Sequence, residues 1–231
     1  MTYEQKQIRR FSAGPLVALA CASVLAACSG GERVGSDRGD IIRNSLTNRL
    51  SGKTAQAPSR ITPEQASQAA ALATQPLMLI ELPQIGSNAL IAKIGENGPV
   101  ETFATASRQT VSTQNGLVRG TRGLGGDLMS ADLGSLPHLV ANRRSGTTQR
   151  ELRFLNGEDI TVRYRFTCEV QVEGPSSVIK GTTTLLETCQ ENGTWFRFKN
   201  KYHVDGRGRV AGSEQWLGNG NGTVTLRQLR F

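Results

Sequence analysis

The stretch ITVRYRFTCEVQV, residues 160–172, alternates apolar and polar side chains from end to end. Successive side chains of a strand point to opposite faces. Ile160, Val162, Tyr164, Phe166, Cys168, Val170 and Val172 therefore share one face, and Thr161, Arg163, Arg165, Thr167, Glu169 and Gln171 the other. One dry face and one wet face mark an antiparallel sheet. After the turn residues Gly-Pro-Ser-Ser a second strand is predicted over 180–189, and Asn192-Gly193 turns the chain into a third over 194–204. Asp205-Gly206 and the run 218–222 punctuate two more, over 209–217 and 223–230.

Upstream, short apolar runs over 77–82, 89–94, 100–104, 108–113 and 117–121 are divided by Gly-Ser-Asn, Glu-Asn-Gly and Gln-Asn-Gly clusters, again strands between turns. The stretch GTRGLGG, residues 120–126, lacks the Lys-Ser/Thr ending of a phosphate loop and reads as backbone freedom in a turn. Roughly ten short strands joined by tight turns predict an all-β fold: mostly an antiparallel meander, as a curled sheet or a sandwich. Two short helices precede it. Ile42, Leu46 and Leu50 recur every four residues over 38–51. Thr62-Pro-Glu-Gln65 supplies a capping hydroxyl, a first-turn proline and a capping-box Gln before an alanine-rich run. With hydrophobic residues at 37% and aromatics at 5%, one modest core fits better than two.

The N-terminus has its own logic. Lys6, Arg9 and Arg10 precede an apolar run over 13–27, AGPLVALACASVLAA, shorter than the roughly 20 residues that a bilayer-spanning helix needs. A basic start, an apolar run and small residues before a cut site are the parts of an export leader. The run closes on Leu25-Ala-Ala-Cys28, which resembles the bacterial lipobox; the resemblance implies cleavage before Cys28 and lipid on its thiol. Cys21 follows Ala18-Leu-Ala20, with aliphatic and small residues in the wrong order. Ser29, where inner-membrane retention favours Asp, points by the same resemblance to the periplasmic face of the outer membrane. The expected organisation is a signal peptide over 1–27, a lipidated tether over 28–37, a helical segment over 38–75 and the β domain over 76–231.

The net charge of +8 and a pI near 9.8 would suit a nucleic-acid binder, because basic surfaces draw phosphate backbones without reading sequence. Export removes nucleic acid from reach. Lipid head groups, acidic glycans and acidic partner surfaces remain. Once Cys21 leaves with the leader and Cys28 is lipidated, Cys168 and Cys189 are an even pair in an oxidising compartment. Their bridge is expected to stabilise the fold by roughly 3 kcal/mol. A redox or metal pair would want Cys-x-x-Cys spacing and a further ligand nearby.

Asn115-Gly-Leu-Val-Arg119, then Gly123-Leu-Gly-Gly-Asp-Leu128, and the closing Tyr202-His-Val-Asp-Gly-Arg-Gly-Arg-Val210 with Trp216, together resemble the YjbF/GfcB lipoproteins. The resemblance spans residues 35–231 and takes in the lipobox and the Cys168/Cys189 pair. It implies a β-rich fold and a role in exopolysaccharide or group-four capsule production. It carries no catalytic residues.

Chemistry has few candidates in the sequence. His138 and His203 are the only histidines, too few for a metal site without other ligands, and no metal or cofactor is expected. Glu158-Asp159 and Asp127/Asp132 are the carboxylates that a glycan hydrolase or lyase would draw on. Binding has a better candidate. On 194–204, Phe196, Phe198, Tyr202 and Val204 share one face, while Trp195, Arg197, Lys199, Lys201 and His203 share the other. With Arg163 and Arg165, the stripe Trp195, Arg197, Lys199 and Lys201 offers ring stacking and positive charge to an anionic polysaccharide. The expected function is a non-enzymatic lipoprotein accessory to polysaccharide secretion or assembly, contacting glycan, export proteins or both; the alternative is a periplasmic glycan-modifying enzyme.

Overall fold

A computed structural model describes residues 60–156, 158 and 160–231. The signal peptide, Cys28, the tether, the helix expected over 38–51 and Asp159 lie outside the described residues.

Helix α1 (Pro63–Leu72) begins as its residues dictate: Thr62 Oγ1 accepts from the Gln65 N–H while Gln65 Oε1 accepts from the Thr62 N–H, which satisfies two otherwise orphaned donors. Five strands follow, β1 (Leu77–Leu82), β2 (Ser87–Asn97), β3 (Val100–Ala104), β4 (Thr110–Gln114) and β5 (Leu117–Arg122). Then come β6 (Leu128–Asp132), helix α2 (Leu136–Ala141), β7 (Gly146–Leu155), β8 (Thr161–Pro175), β9 (Thr182–Glu191), β10 (Arg197–Asp205), β11 (Val210–Trp216) and β12 (Thr223–Arg230).

Every strand pairs antiparallel with its neighbours in sequence, except across β5 and β6, and β12 returns to pair with β1. The result is a single 12-stranded sheet, curled into a nearly closed barrel whose ends meet at β5 and β6. Of the two forms expected, the curled sheet is the one adopted. The strand count corrects the expectation of about ten: β6, α2 and β7 lie within 128–155, where the sequence pattern predicts no strand.

The β5/β6 seam carries no ladder, and side chains hold it instead. The Arg122 guanidinium donates to the Leu128 and Met129 carbonyls at 3.3 and 3.2 Å, and Thr121 Oγ1 accepts from the Leu128 N–H at 3.0 Å. Gly120 eases the approach, because a Cβ there would sit a tight 3.3 Å from the Leu128 carbonyl oxygen.

The core fills the inside of the curl. Phe166, Cys168 and Val170 of β8, Leu185 and Cys189 of β9, and Phe198, Tyr202 and Val204 of β10 are buried in it, while the outward residues of β8 and β10 are charged or polar. A membrane-spanning barrel has the opposite arrangement, with an apolar outer band. The inward face of residues 160–172 is buried only in its middle: Ile160, Tyr164 and Val172 are exposed, because β8 is fifteen residues long and overshoots the core at both ends.

The two ends of the barrel differ. At one, α2 and the turn before it act as a plug, with Leu133 of the turn and Leu136 and Val140 of the helix fully buried. The β4–β5 and β10–β11 turns close over it, with Asn115 Nδ2 donating to the Gly208 carbonyl at 2.9 Å. Gly208, at φ 81°, packs so tightly on the Ala141 carbonyl that no side chain fits. At the opposite end the barrel is open.

Candidate functional site

The open end is framed by loops 123–127, 192–196 and 217–222, which join β5 to β6, β9 to β10 and β11 to β12, and by the adjoining ends of β7 and β8. Four strands deliver aromatic side chains to it, because each ends there with an inward-facing ring: Phe154 from β7, Tyr164 from β8, Phe196 beside β10 and Trp216 from β11. Phe166 forms the floor. Together they line a cavity of about 480 Å³, within the range of ordinary small-ligand sites.

The cluster is ordered by ring contacts. Trp216 stacks on Phe198 with centroids 4.6 Å apart and meets Phe196 at 5.3 Å. Phe154 stands edge-on to Tyr164 and to Trp216, at 6.0 and 6.2 Å. Such pairs add to plain burial, and here they hold Trp216 at the end of its strand, where its backbone N–H also donates to Asn200 Oδ1 at 2.8 Å. Half of the chain's Phe, Tyr and Trp residues belong to this group.

Polar groups line the rest. Asp127 is already committed, accepting from Thr121 Oγ1 at 2.9 Å and from the Gly123 and Leu124 N–H groups at 2.6 and 3.1 Å. Glu191 accepts from Thr194 Oγ1 through Oε2 at 2.8 Å. Backbone from Gly126, Gly218 and Gly220 completes the wall, and Asn221 Nδ2 ties two of the loops together by donating to the Gly126 carbonyl at 2.6 Å.

The stripe expected from the sequence lies elsewhere and is divided. Arg197, Lys199 and Lys201 point outward from β10, opposite Gln190, Thr188 and Leu186 of β9, and Lys201 also faces Glu214 of β11. Arg163 and Arg165 point outward from β8, on the far side of β9. Arg165 is bound to Glu151 at 3.0 Å, which holds that carboxylate below its ordinary range. Trp195 stands 90% exposed in the β9–β10 loop. The five basic residues thus sit on two strands with β9 between them, and Trp195 stands in the loop.

His203 faces outward but is covered. The β8–β9 loop lays Ile179 over Gly212 beside it, Ser176 Oγ lies 2.9 Å from Nδ1, and burial pushes the imidazole down. His138 is exposed on α2. Asp127 and Asp132 sit at opposite ends of β6, and Glu158 is exposed in the β7–β8 loop. Cys168 and Cys189 are directly opposite in β8 and β9 and joined by a disulfide. With Glu187 they are the one acid, thiol and imidazole grouping among the described residues compact enough for a metal, and their sulfurs are spent in the bridge.

The mouth itself was not foreseen. Tyr164 and Phe196 read as ordinary core positions, and Phe154 lay in a strand that was not predicted. The available cue is that inward aromatics cluster near strand ends pointing the same way along the meander.

A family model described as "Group 4 capsule polysaccharide lipoprotein gfcB, YjbF" matches residues 44–229. The crystal structure of the hypothetical lipoprotein YmcC from Escherichia coli (K12) is similar, with a TM-score of 0.64 over 86% of this chain and 98% of that one, at 16% identity. At that identity the likeness is one of fold. Among curated proteins none matches the sequence.

Proposed function

The chain belongs to the YjbF family of group 4 capsule polysaccharide lipoproteins, and on that premise we propose that it is a non-enzymatic accessory to surface-polysaccharide secretion or assembly, holding glycan at the open end of its barrel. The observation that carries this reading is the aromatic mouth. A sugar ring has apolar C–H faces that pack on Phe, Tyr and Trp, and hydroxyls that need acceptors and N–H donors close by; the mouth offers both. Anchoring through lipid on Cys28, on the periplasmic face of the outer membrane, would set it beside the polymer's exit path, where export proteins are the natural partners.

Hydrolysis is the weaker reading. A glycosidase needs one carboxylate to give a proton and another to attack or to activate water. Asp127 spends its oxygens on its own loop, which leaves Glu191 without a second free acid among the residues lining the mouth.

The test is a deletion strain complemented with wild type, Cys28→Ser or Tyr164→Ala. Surface polysaccharide should fall in the deletion strain and be restored by wild type alone. Unchanged polysaccharide in the deletion strain would overturn the proposal.

A further inference from the structure

We infer that the mouth is a subsite for a neutral pyranose ring and rejects uronic acids; this rests on the glycan-binding reading above and adds the class of sugar. The lining decides it. Among the described residues no Lys, Arg or His lines the cavity, whereas Asp127 and Glu191 both do. The arginines that flank lining residues in the sequence stripe, Arg163 and Arg165 on β8 and Arg197 on β10, are turned to the outer surface, and Arg165 is paired with Glu151.

A carboxylate-bearing sugar entering this space would lose water against Phe154, Phe166, Phe196 and Trp216 and gain no counter-ion. It would also sit beside two acids of its own sign, a repulsive element of the kind that creates specificity without any extra attraction. A neutral ring meets neither penalty. Its hydroxyls can donate to the Glu191 carboxylate and to loop carbonyls, and accept from glycine N–H groups, while its C–H face packs on the aromatic wall. Any contact with the acidic units of a polymer belongs outside, to Arg197, Lys199 and Lys201.

The experiment uses the mature lipid-anchored protein in phospholipid vesicles. Trp195 and Trp216 are the only tryptophans, so a Trp195→Phe background makes fluorescence report on the mouth alone. Neutral gluco-, galacto- and manno-oligosaccharides are titrated against glucuronate and galacturonate oligomers of equal length. At least one neutral series should shift the Trp216 emission saturably and bind ten-fold or more tighter than any uronate. Glu191→Gln should narrow that gap several-fold, and Tyr164→Ala, on the exposed rim, should weaken neutral binding with the circular dichroism spectrum unchanged. Equal or tighter uronate binding at Trp216 overturns the subsite and leaves the glycan reading standing. If no saccharide moves Trp216, both fall.

Discussion

Arg150 and Glu187 meet inside the barrel, Nη1 to Oε2 at 2.9 Å, with both side chains sealed from solvent. The same Oε2 accepts from Asn200 Nδ2 and from the Tyr202 hydroxyl, each at 2.6 Å. Burial, reinforced by the charge of Glu187, pushes the Tyr202 phenol well up, so it remains a donor. A buried pair stabilises little against an apolar replacement, but half of one is costly, because the survivor is left charged and unmatched. Glu187→Ala should therefore destabilise by about 3–5 kcal/mol, read as a lower urea midpoint. Glu187→Leu combined with Arg150→Met should recover most of the loss. A midpoint unchanged by Glu187→Ala would contradict the arrangement.

Reduction should act on stability without touching the mouth. Cys168 and Cys189 bridge neighbouring positions of β8 and β9, and removing the bridge frees the unfolded chain by roughly 3 kcal/mol in the loop-entropy picture. Melting with and without a reductant should show a drop of several degrees. Equal melting temperatures would contradict the bridge.

The β5/β6 seam should be the softest line in the barrel. Arg122→Ala removes the guanidinium bonds to the Leu128 and Met129 carbonyls, and bonds to a charged group contribute about 1.5–3 kcal/mol. Hydrogen exchange should quicken locally in β5 and β6 while β8 to β10 keep their protection. Uniform acceleration across all strands would show that the seam does not open by itself.

His203 gives a pH signature. Burial holds its imidazole below the ordinary range, with Glu214 and Glu173 pulling it back up and Lys201 pushing it further down. The unfolded chain takes up a proton near pH 6.5, the folded chain only at lower pH. This contribution to stability is therefore complete above about 6.5 and is lost as pH falls through that value towards the folded pKa. His203→Gln should lose less melting temperature than wild type between about pH 7.5 and 5.5. Identical slopes would mean that His203 does not contribute.

The strands that could be read from the sequence are those whose inward positions are apolar, β8 above all. β7 escaped because its inward positions are Thr148, Arg150, Leu152 and Phe154: half of them polar, since Arg150 reaches into the core to Glu187. An interior ion pair erases the alternation that marks a strand. Helix α2, six residues long, is too short to show a period. The mouth was illegible for a different reason. Phe154 and Tyr164 come from the β7–β8 hairpin, Phe196 from β9–β10 and Trp216 from β11–β12, and their meeting depends on the register and curl of β7 to β11, which no local spacing records.

The central claim is that glycan is held at the open end, and the direct measurement is chemical-shift mapping of the isotope-labelled protein during titration with the host's own surface polysaccharide fragments. Shifts should concentrate on Phe154, Tyr164, Glu191, Phe196, Trp216 and the 218–220 loop. Shifts confined to Arg197, Lys199 and Lys201 on the outer face, or none anywhere, would contradict it.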